Sequence, residues 1–137
     1  MIGALVAKSK VRGGFAAIER RDLDGFVAIF ADDAVVNYPT KGDIKGKAAI
    51  REFFGHFMET FPKFKGVVRD VGVQNLFDMV GTNVVFTHFE IWTTNRKGVT
   101  FHQEGMQLIR ITRGKLTLLH YVFFNMESLH HAWKESE

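Results

Sequence analysis

The chain has 137 residues, of which 46% are hydrophobic and 24% are charged, and its formal net charge is +3. This length suits one domain with one core, so we expect a single domain over residues 1–137. The basic residues are scattered and form no stripe, which argues against nucleic-acid binding. The chain contains no Cys, which excludes disulfides and thiolate metal sites.

The first residues are apolar, but Lys8 interrupts them early. The apolar run is too short for a signal peptide or a membrane span. We therefore expect a cytoplasmic protein without a membrane partner. The 14 Phe are unusual for this length and predict a large aromatic core or a cavity lined with aromatic rings.

Three helices are predicted in the first half of the chain. The first covers residues 4–21 and contains Gly13 and Gly14, which indicate a bend or the close approach of a neighbour. The second follows Asp22, a good N-cap, and its apolar residues are spaced like one buried helix face: Leu23, Phe26, Val27 and Phe30.

A short strand at residues 34–36 should finish with Asn37 and Tyr38 before Pro39, and residues 41–46 read as a polar loop. The third helix is predicted over residues 47–61, where six apolar residues fall on one face: Ile50, Phe53, Phe54, Phe57, Met58 and Phe61. Pro62 should end it.

From residue 63 onward the pattern changes to period two, which predicts strands over 67–79, 82–94, 99–112 and 116–126. The intervening turns, at 80–81, 95–98 and 113–114, are short enough for hairpins, so the strands should form an antiparallel meander. Residues 128–137 fit either a terminal helix or a frayed tail. The predicted fold class is α+β, with three N-terminal helices covering one face of a curved antiparallel sheet.

Two segments carry a family resemblance: DLDGFVAIFADDAVV, and a Gly-Lys-x-Ala-Ile-Arg-Glu-Phe-Phe stretch at residues 46–54. With the four strands that follow, the chain resembles the nuclear-transport-factor-2-like superfamily, in particular its SnoaL-like and ketosteroid-isomerase-like branches. The resemblance implies a cone-shaped α+β barrel with a deep apolar pocket. It does not specify one reaction, because this fold carries many functions.

The resemblance argues against steroid isomerisation. At the three positions where ketosteroid isomerases have catalytic residues, this chain has Tyr38, Gly14 and Gln107. Scytalone dehydratase, a relative in the same superfamily, places a Tyr where Tyr38 falls and uses a first-helix Asp, for which Glu19 is the nearest match.

The turn at residues 95–98 predicts the register of the central hairpin. If Thr94 pairs with Val99, then His88 lies opposite Gly105 and Glu90 opposite Gln103, with their side chains on one face. The resemblance likewise places Phe86, His88 and Gln107 inward, so we expect this face to line the pocket.

On this basis we predict His88, Glu90 and Tyr38 as catalytic residues, with an acid–base pair and a phenol that donates to a developing oxyanion. Alternatively, His88 and Glu90 only hydrogen-bond each other or a glutamine. The predicted ligand-binding residues are Phe30, Phe54, Met58, Phe86, Trp92, Gln103, Gln107 and Tyr121. In the last strand a two-residue turn would present His120 instead, and the resemblance favours Tyr121.

We expect no metal and no cofactor. A second His-x-Glu, at His102 and Glu104, would lie on the opposite face in this register, and only a one-residue slip would gather the two units.

The opposite face would expose an apolar stripe, which predicts a homodimer through the outer sheet face. The stripe contains Phe89, Ile91, Met106 and Leu108. The predicted function is binding of a small hydrophobic molecule, with proton-transfer chemistry on a cyclic carbonyl compound as an isomerase, cyclase or dehydratase. The alternative is a non-catalytic module that binds a ligand or dimerises.

Overall fold

The computed structural model describes residues 2–75 and 81–137. It contains four helices and six strands within these residues. In chain order they are α1 (Ile2–Glu19), α2 (Leu23–Val27), β1 (Phe30–Tyr38), β2 (Gly42–Lys45), α3 (Lys47–Thr60), β3 (Lys63–Val73), β4 (Thr82–Thr94), β5 (Thr100–Thr112), β6 (Lys115–Phe123) and α4 (Met126–Ser136).

The six strands form one sheet in the order β2-β1-β6-β5-β4-β3. The predicted antiparallel meander is confirmed for β3 to β6, whereas β1 pairs in parallel with β6. Helices and buried aromatic rings fill the concave face, which gives the predicted α+β cone.

The start of α2 is confirmed and its end is not. Asp22 caps the helix because its carboxylate accepts a hydrogen bond from the Gly25 amide at 2.8 Å, which holds the Asp22 pKa below its usual range. The helix stops at Val27, and Phe30 begins β1. Phe30 is fully buried, but it belongs to a strand. Its distance in sequence from Leu23, Phe26 and Val27 therefore matches the spacing of a helix face only by coincidence.

The predicted loop at residues 41–46 is wrong in part, because it contains β2, which pairs with β1. Gly42 and Gly46 bracket this short strand with φ of 81° and 85°, a left-handed backbone that glycine adopts without strain. The strand predicted over residues 67–79 also shifts, because β3 runs over Lys63–Val73. Residues 76–79 of the predicted strand and Val80 of the following turn lie outside the described residues.

The register of the β4–β5 hairpin differs from the prediction by one residue. Thr94 pairs with Thr100, so the loop that closes the hairpin comprises residues 96–98. Asn95 fixes this loop through three hydrogen bonds. Its side-chain oxygen accepts from the backbone amides of Lys97 and Val99 at 3.0 Å each, and its backbone amide donates to the Val99 carbonyl. Gly98, with φ of 82°, supplies the left-handed residue that such a three-residue loop requires.

The slip turns every β4 side chain to the face opposite the predicted one. Phe89 and Ile91 point into the core and are buried, whereas Phe86 is 48% exposed. The predicted inward direction of Gln103 and Gln107 on β5 is confirmed, because both are buried.

In β6 the inward direction of Tyr121 is confirmed, although the turn has two residues. Arg113 and Gly114 form that turn, and Thr112 pairs with Lys115. A β-bulge then inserts one extra residue, so that Gln107 faces Tyr121 rather than His120.

The C-terminal segment is a helix, α4, rather than a frayed tail. Asn125 caps it by accepting from the Ser128 amide at 2.9 Å. Its Trp133 packs against α3 through Phe53, Phe57 and Phe61, with ring centroids 5.2–6.0 Å apart. These contacts close one end of the cone.

Candidate functional site

Two small chambers lie between the helices and the inner face of the sheet. One is lined mainly by α1, α2, β5 and β6, and its lining residues include Lys10, Gly14, Ile29, Gln107 and Leu119. The other is lined by aromatic and aliphatic residues, including Tyr38, Phe54, Phe64, Phe89 and Phe123. Each has a volume of about 20 Å³, which is room for about one water molecule.

Tyr121 lines both chambers, together with Phe15 and Ile18. Thr87 donates its hydroxyl hydrogen to Gln107 Oε1 at 2.8 Å, and both side chains are buried. Burial raises the pKa of Tyr121, while its hydrogen bond with Gln107 acts in the opposite direction. Gln107 Oε1 accepts from Thr87, and the only hydrogen-bond donors of the Gln107 side chain are its amide N–H groups. A phenol that accepts from such an N–H keeps its own hydrogen to donate.

Tyr38 lies in the interior and is 3% exposed. Its hydroxyl accepts a hydrogen bond from Trp133 Nε1 at 3.3 Å, and burial raises its pKa. Its ring meets the Tyr121 ring edge-on, with centroids 5.3 Å apart. Two buried phenols, Tyr38 and Tyr121, therefore meet inside the cone.

The other predicted ligand-binding residues divide between interior and outer face. Phe54 lines the aromatic chamber, and Phe30 and Met58 are buried in the core. Gln103 is buried and donates to Ser128 Oγ at 3.0 Å, so it ties α4 to the sheet. The prediction that Phe86 and Trp92 face the pocket is wrong, because both lie on the outer face.

His88 and Glu90 also lie on the outer face, opposite the chambers, so their predicted place in the pocket is wrong. His88 Nδ1 lies 3.0 Å from Asp70 Oδ2, and its Nε2 lies 2.6 Å from Glu104 Oε2. These hydrogen bonds, Asp70 first, raise the pKa of His88.

Glu90 joins a second outer cluster. It accepts from Arg69 Nε at 2.5 Å and lies 2.9 Å from His102 Nε2. The bond from Arg69 is the main cause that lowers the pKa of Glu90. The His102 ring in turn lies on Trp92, with centroids 4.9 Å apart. His88 and Glu90 do not contact each other as predicted, because each is hydrogen-bonded to side chains of the neighbouring strands β3 and β5.

Glu19 does not reach the chambers from α1. It is exposed, and its carboxylate accepts from the Gly66 amide of β3 at 2.9 Å. Its contact is therefore structural, between α1 and the edge strand of the sheet.

The observed register gathers the two His-x-Glu units on one face, with Glu90 directly opposite Glu104. His88 and His102 then lie two residues to either side of that pair, about 13 Å apart along the strands. One ion cannot bridge that span. Among residues 2–75 and 81–137, no group of three or more His, Asp and Glu side chains is arranged to hold a metal.

A wider cleft of about 350 Å³ lies outside the cone, between β2 and α3. Ile44 and Phe53 form its floor, and its rim carries Lys45, Glu52 and His56. Charges of both signs meet there, so the cleft does not favour an anion or a cation.

None of the described helices is both long enough and apolar enough to cross a membrane.

Solved structures share this fold across nearly the full chain. Bal32a from a soil-derived mobile gene cassette is 20% identical, with a TM-score of 0.80, 96% of this chain covered and 98% of that one. A nuclear transport factor 2-like protein from Salmonella enterica serovar Typhimurium is 18% identical, with a TM-score of 0.74 and coverages of 84% and 86%. TerC, co-crystallised with polyporic acid, is 19% identical, with a TM-score of 0.68 and coverages of 94% and 98%.

The curved sheet closed by helices is thus a fold that this chain shares with the nuclear transport factor 2-like protein. The profile of the SnoaL-like domain family matches residues 11–119. The chain belongs to the SnoaL-like family.

Proposed function

We propose that the protein binds a small, mainly apolar molecule inside the cone, with an oxygen of that molecule accepting a hydrogen bond from Tyr121. The chain of hydrogen bonds from Thr87 through Gln107 to Tyr121 carries this proposal. It supplies one oriented donor in apolar surroundings, which is how pockets commonly fix the orientation of a ligand. TerC, which shares the fold, was crystallised with a small organic molecule.

The size of the chambers adds a requirement for movement. Each holds about one water molecule, so a ring compound enters only when side chains between α1 and the sheet move apart. A Cβ added to Gly14 of α1 would lie 3.8 Å from the Phe26 ring of α2 and 3.5 Å from the side chain of Ile29, just after α2, which are ordinary contact distances. The α1–α2 seam is therefore the opening we assign.

Acid–base chemistry at His88 and Glu90 is not part of this proposal, because both lie across the sheet from the chambers. The polar side chains that line the chambers each carry an N–H or O–H group, which suits an acceptor such as a carbonyl oxygen: Lys10, Tyr38, Gln107 and Tyr121. We therefore favour binding of a carbonyl compound over proton transfer by the predicted pair.

A matched pair of probes tests the ligand site. Acetophenone carries a carbonyl oxygen and ethylbenzene has nearly the same shape without it. We expect acetophenone to shift the methyl NMR signals of Ile109 and Leu119, and Tyr121→Phe to weaken its binding about 2- to 10-fold, the value of one hydrogen bond. Ethylbenzene binding should be unchanged by that substitution.

Two controls separate the outcomes. His88→Ala, on the outer face, should leave acetophenone binding unchanged. If neither probe shifts the cone signals, the ligand site is refuted; if Tyr121→Phe binds both probes as the wild type does, the assignment to Tyr121 fails.

We also propose that two copies associate through the outer sheet face. The predicted stripe is wrong in two members, because Phe89 and Ile91 are interior. The apolar residues exposed on the outer face, which we name the outer patch, include Met106 of that stripe and are 40–57% exposed: Phe86, Met106, Val122 and Phe124. An apolar patch on one sheet face suits a symmetric interface between identical chains.

Sedimentation at micromolar concentration tests the dimer. We expect the wild type to sediment as a dimer and Val122→Glu as a monomer, because the variant buries a carboxylate in the apolar interface. Val99→Glu is the matched control, since Val99 is 47% exposed beside the hairpin loop and lies outside the outer patch. A wild-type monomer would refute the dimer and leave the ligand site untouched.

A further inference from the structure

His88 lies where the apolar and charged parts of the outer face meet. The outer patch adjoins it on β5 and β6: Met106 is its cross-strand partner, and the Phe124 ring stacks on its imidazole with centroids 6.0 Å apart. Its side chain is 29% exposed. Any molecule that covers the outer patch therefore covers His88 as well.

Both ring nitrogens of His88 face carboxylates from the two neighbouring strands. Asp70 approaches Nδ1 from β3 at 3.0 Å, and Glu104 approaches Nε2 from β5 at 2.6 Å. Only the protonated imidazole has an N–H on both nitrogens. The neutral ring donates to one carboxylate and turns a lone pair towards the other.

Water compensates for this mismatch while the face is open. Asp70 is 79% exposed and Glu104 is 41% exposed, so either can turn into solvent when His88 loses its proton. A covered face removes that escape, because an unpaired carboxylate is costly once it is desolvated.

Further titratable and charged groups lie on this face. Glu90 is paired with Arg69 of β3 and His102 of β5, and Lys65 lies over the Trp92 ring at 5.8 Å. From β6, His120 lies opposite Leu108. Of the described groups around it, His88 is the one imidazole held between two carboxylates.

We propose that His88 makes the assembly of two copies through the outer patch depend on pH, with the protonated imidazole required in the assembled state. This inference rests on the dimer proposed above and adds its regulation. Each copy that joins takes up as much as one proton at His88, so assembly weakens as pH rises past the range in which His88 holds its proton.

Sedimentation over about pH 6 to about pH 9 tests this proposal. Two protons per dimer set an upper limit of about a hundredfold per pH unit, and we expect the association constant to fall at least about tenfold over the range. His88→Gln keeps a polar side chain that cannot be charged, so its weaker association should not change with pH. His102→Gln, which removes an imidazole with one carboxylate partner, should keep the wild-type dependence.

Dilution calorimetry of the wild type gives an independent readout. The heat of dissociation is measured in two buffers of different ionisation enthalpy. The two heats should differ, because each copy releases a proton from His88 to the buffer when the dimer dissociates. A dimer of constant affinity with equal heats in both buffers would overturn the His88 proposal and leave the dimer standing. A monomer at every pH would overturn both.

Discussion

At the scale of single residues, the sequence identified chemistry better than position. Asp22 was predicted as a cap and is one, because a cap depends on neighbours within three residues. Tyr121, Gln107 and Tyr38 were predicted as site residues, and their side chains are buried in the interior. His88 and Glu90 were predicted beside them and lie on the other side of the sheet, since strand neighbours change face with every one-residue shift.

Two glycines give a test at this scale. A Cβ on Gly105 would lie 2.2 Å from the Val122 carbonyl oxygen and 3.1 Å from the Phe89 ring. We expect Gly105→Ala to lower the free energy of unfolding by about 2–3 kcal/mol, because the β5 and β6 backbones must separate.

Gly13→Ala is the matched control for that substitution. Gly13 lies in the middle of α1, is exposed, and a Cβ there meets nothing within 4 Å. It should raise the free energy of unfolding by about 0.5–1 kcal/mol, the usual gain of Ala over Gly in a helix. Urea unfolding measures both, and an unchanged midpoint for Gly105→Ala would contradict the close approach of β5 and β6.

At the scale of elements, periodicity predicted the long segments well. α3 was predicted to end at residue 61 and ends at Thr60, and β4 was predicted over the residues it occupies. Short segments were less certain: β2 has four residues and no alternating pattern, so its sequence looks like a loop. Its pairing with β1 creates the strand.

In the hairpin between β4 and β5, the position where each strand ends matters more than whether the strand is predicted at all. Both strands were predicted, but a loop of four residues was assumed where Asn95 and Gly98 build one of three. An Asn that can accept two loop amides, with Gly at the left-handed position, was the available signal. In the β5–β6 hairpin the reverse occurred, since the bulge near Arg110 restored the parity that the turn alone would have changed.

At the scale of the whole molecule, the inner and outer faces of the sheet differ in polarity. The inner face is apolar with a few buried hydrogen bonds, and its Phe residues form the predicted aromatic core. The outer face carries the charged clusters around His88 and Glu90 beside the outer patch. The stability of the molecule should therefore follow the titration of the outer face.

The pKa shift of Glu90 makes the folded state less stable at low pH, and the pKa shift of His88 makes it less stable at high pH. The pKa of Glu90 is lowered from 4.5, so its contribution is present above that value and is lost as pH falls through the folded-state pKa. The pKa of His88 is raised from 6.5, so its contribution is complete below that value and is lost as pH rises through the folded-state pKa. For these two groups, stability is greatest between 4.5 and 6.5.

Thermal unfolding across pH measures this effect at a protein concentration where the oligomeric state stays constant. Glu90→Gln should flatten the acid side of the Tm profile, and His88→Gln the alkaline side. The changes should be small, because both groups are partly solvated. Glu52→Gln, an exposed carboxylate on α3, is the control, and a profile in which it acts like Glu90→Gln would contradict the assignment.

By itself, the sequence determined the fold class, the order of the helices and long strands, the aromatic core and the family. These properties come from local periodicity and short motifs, which each segment carries on its own. The tertiary structure decided which face of β4 meets the core, and so moved His88 and Glu90 from the predicted pocket to the outer face. The register of these strands depends on one residue in the β4–β5 loop and on one bulge in β6. Because side chains alternate between the two faces of a strand, each one-residue shift moves every side chain of the strand to the other face.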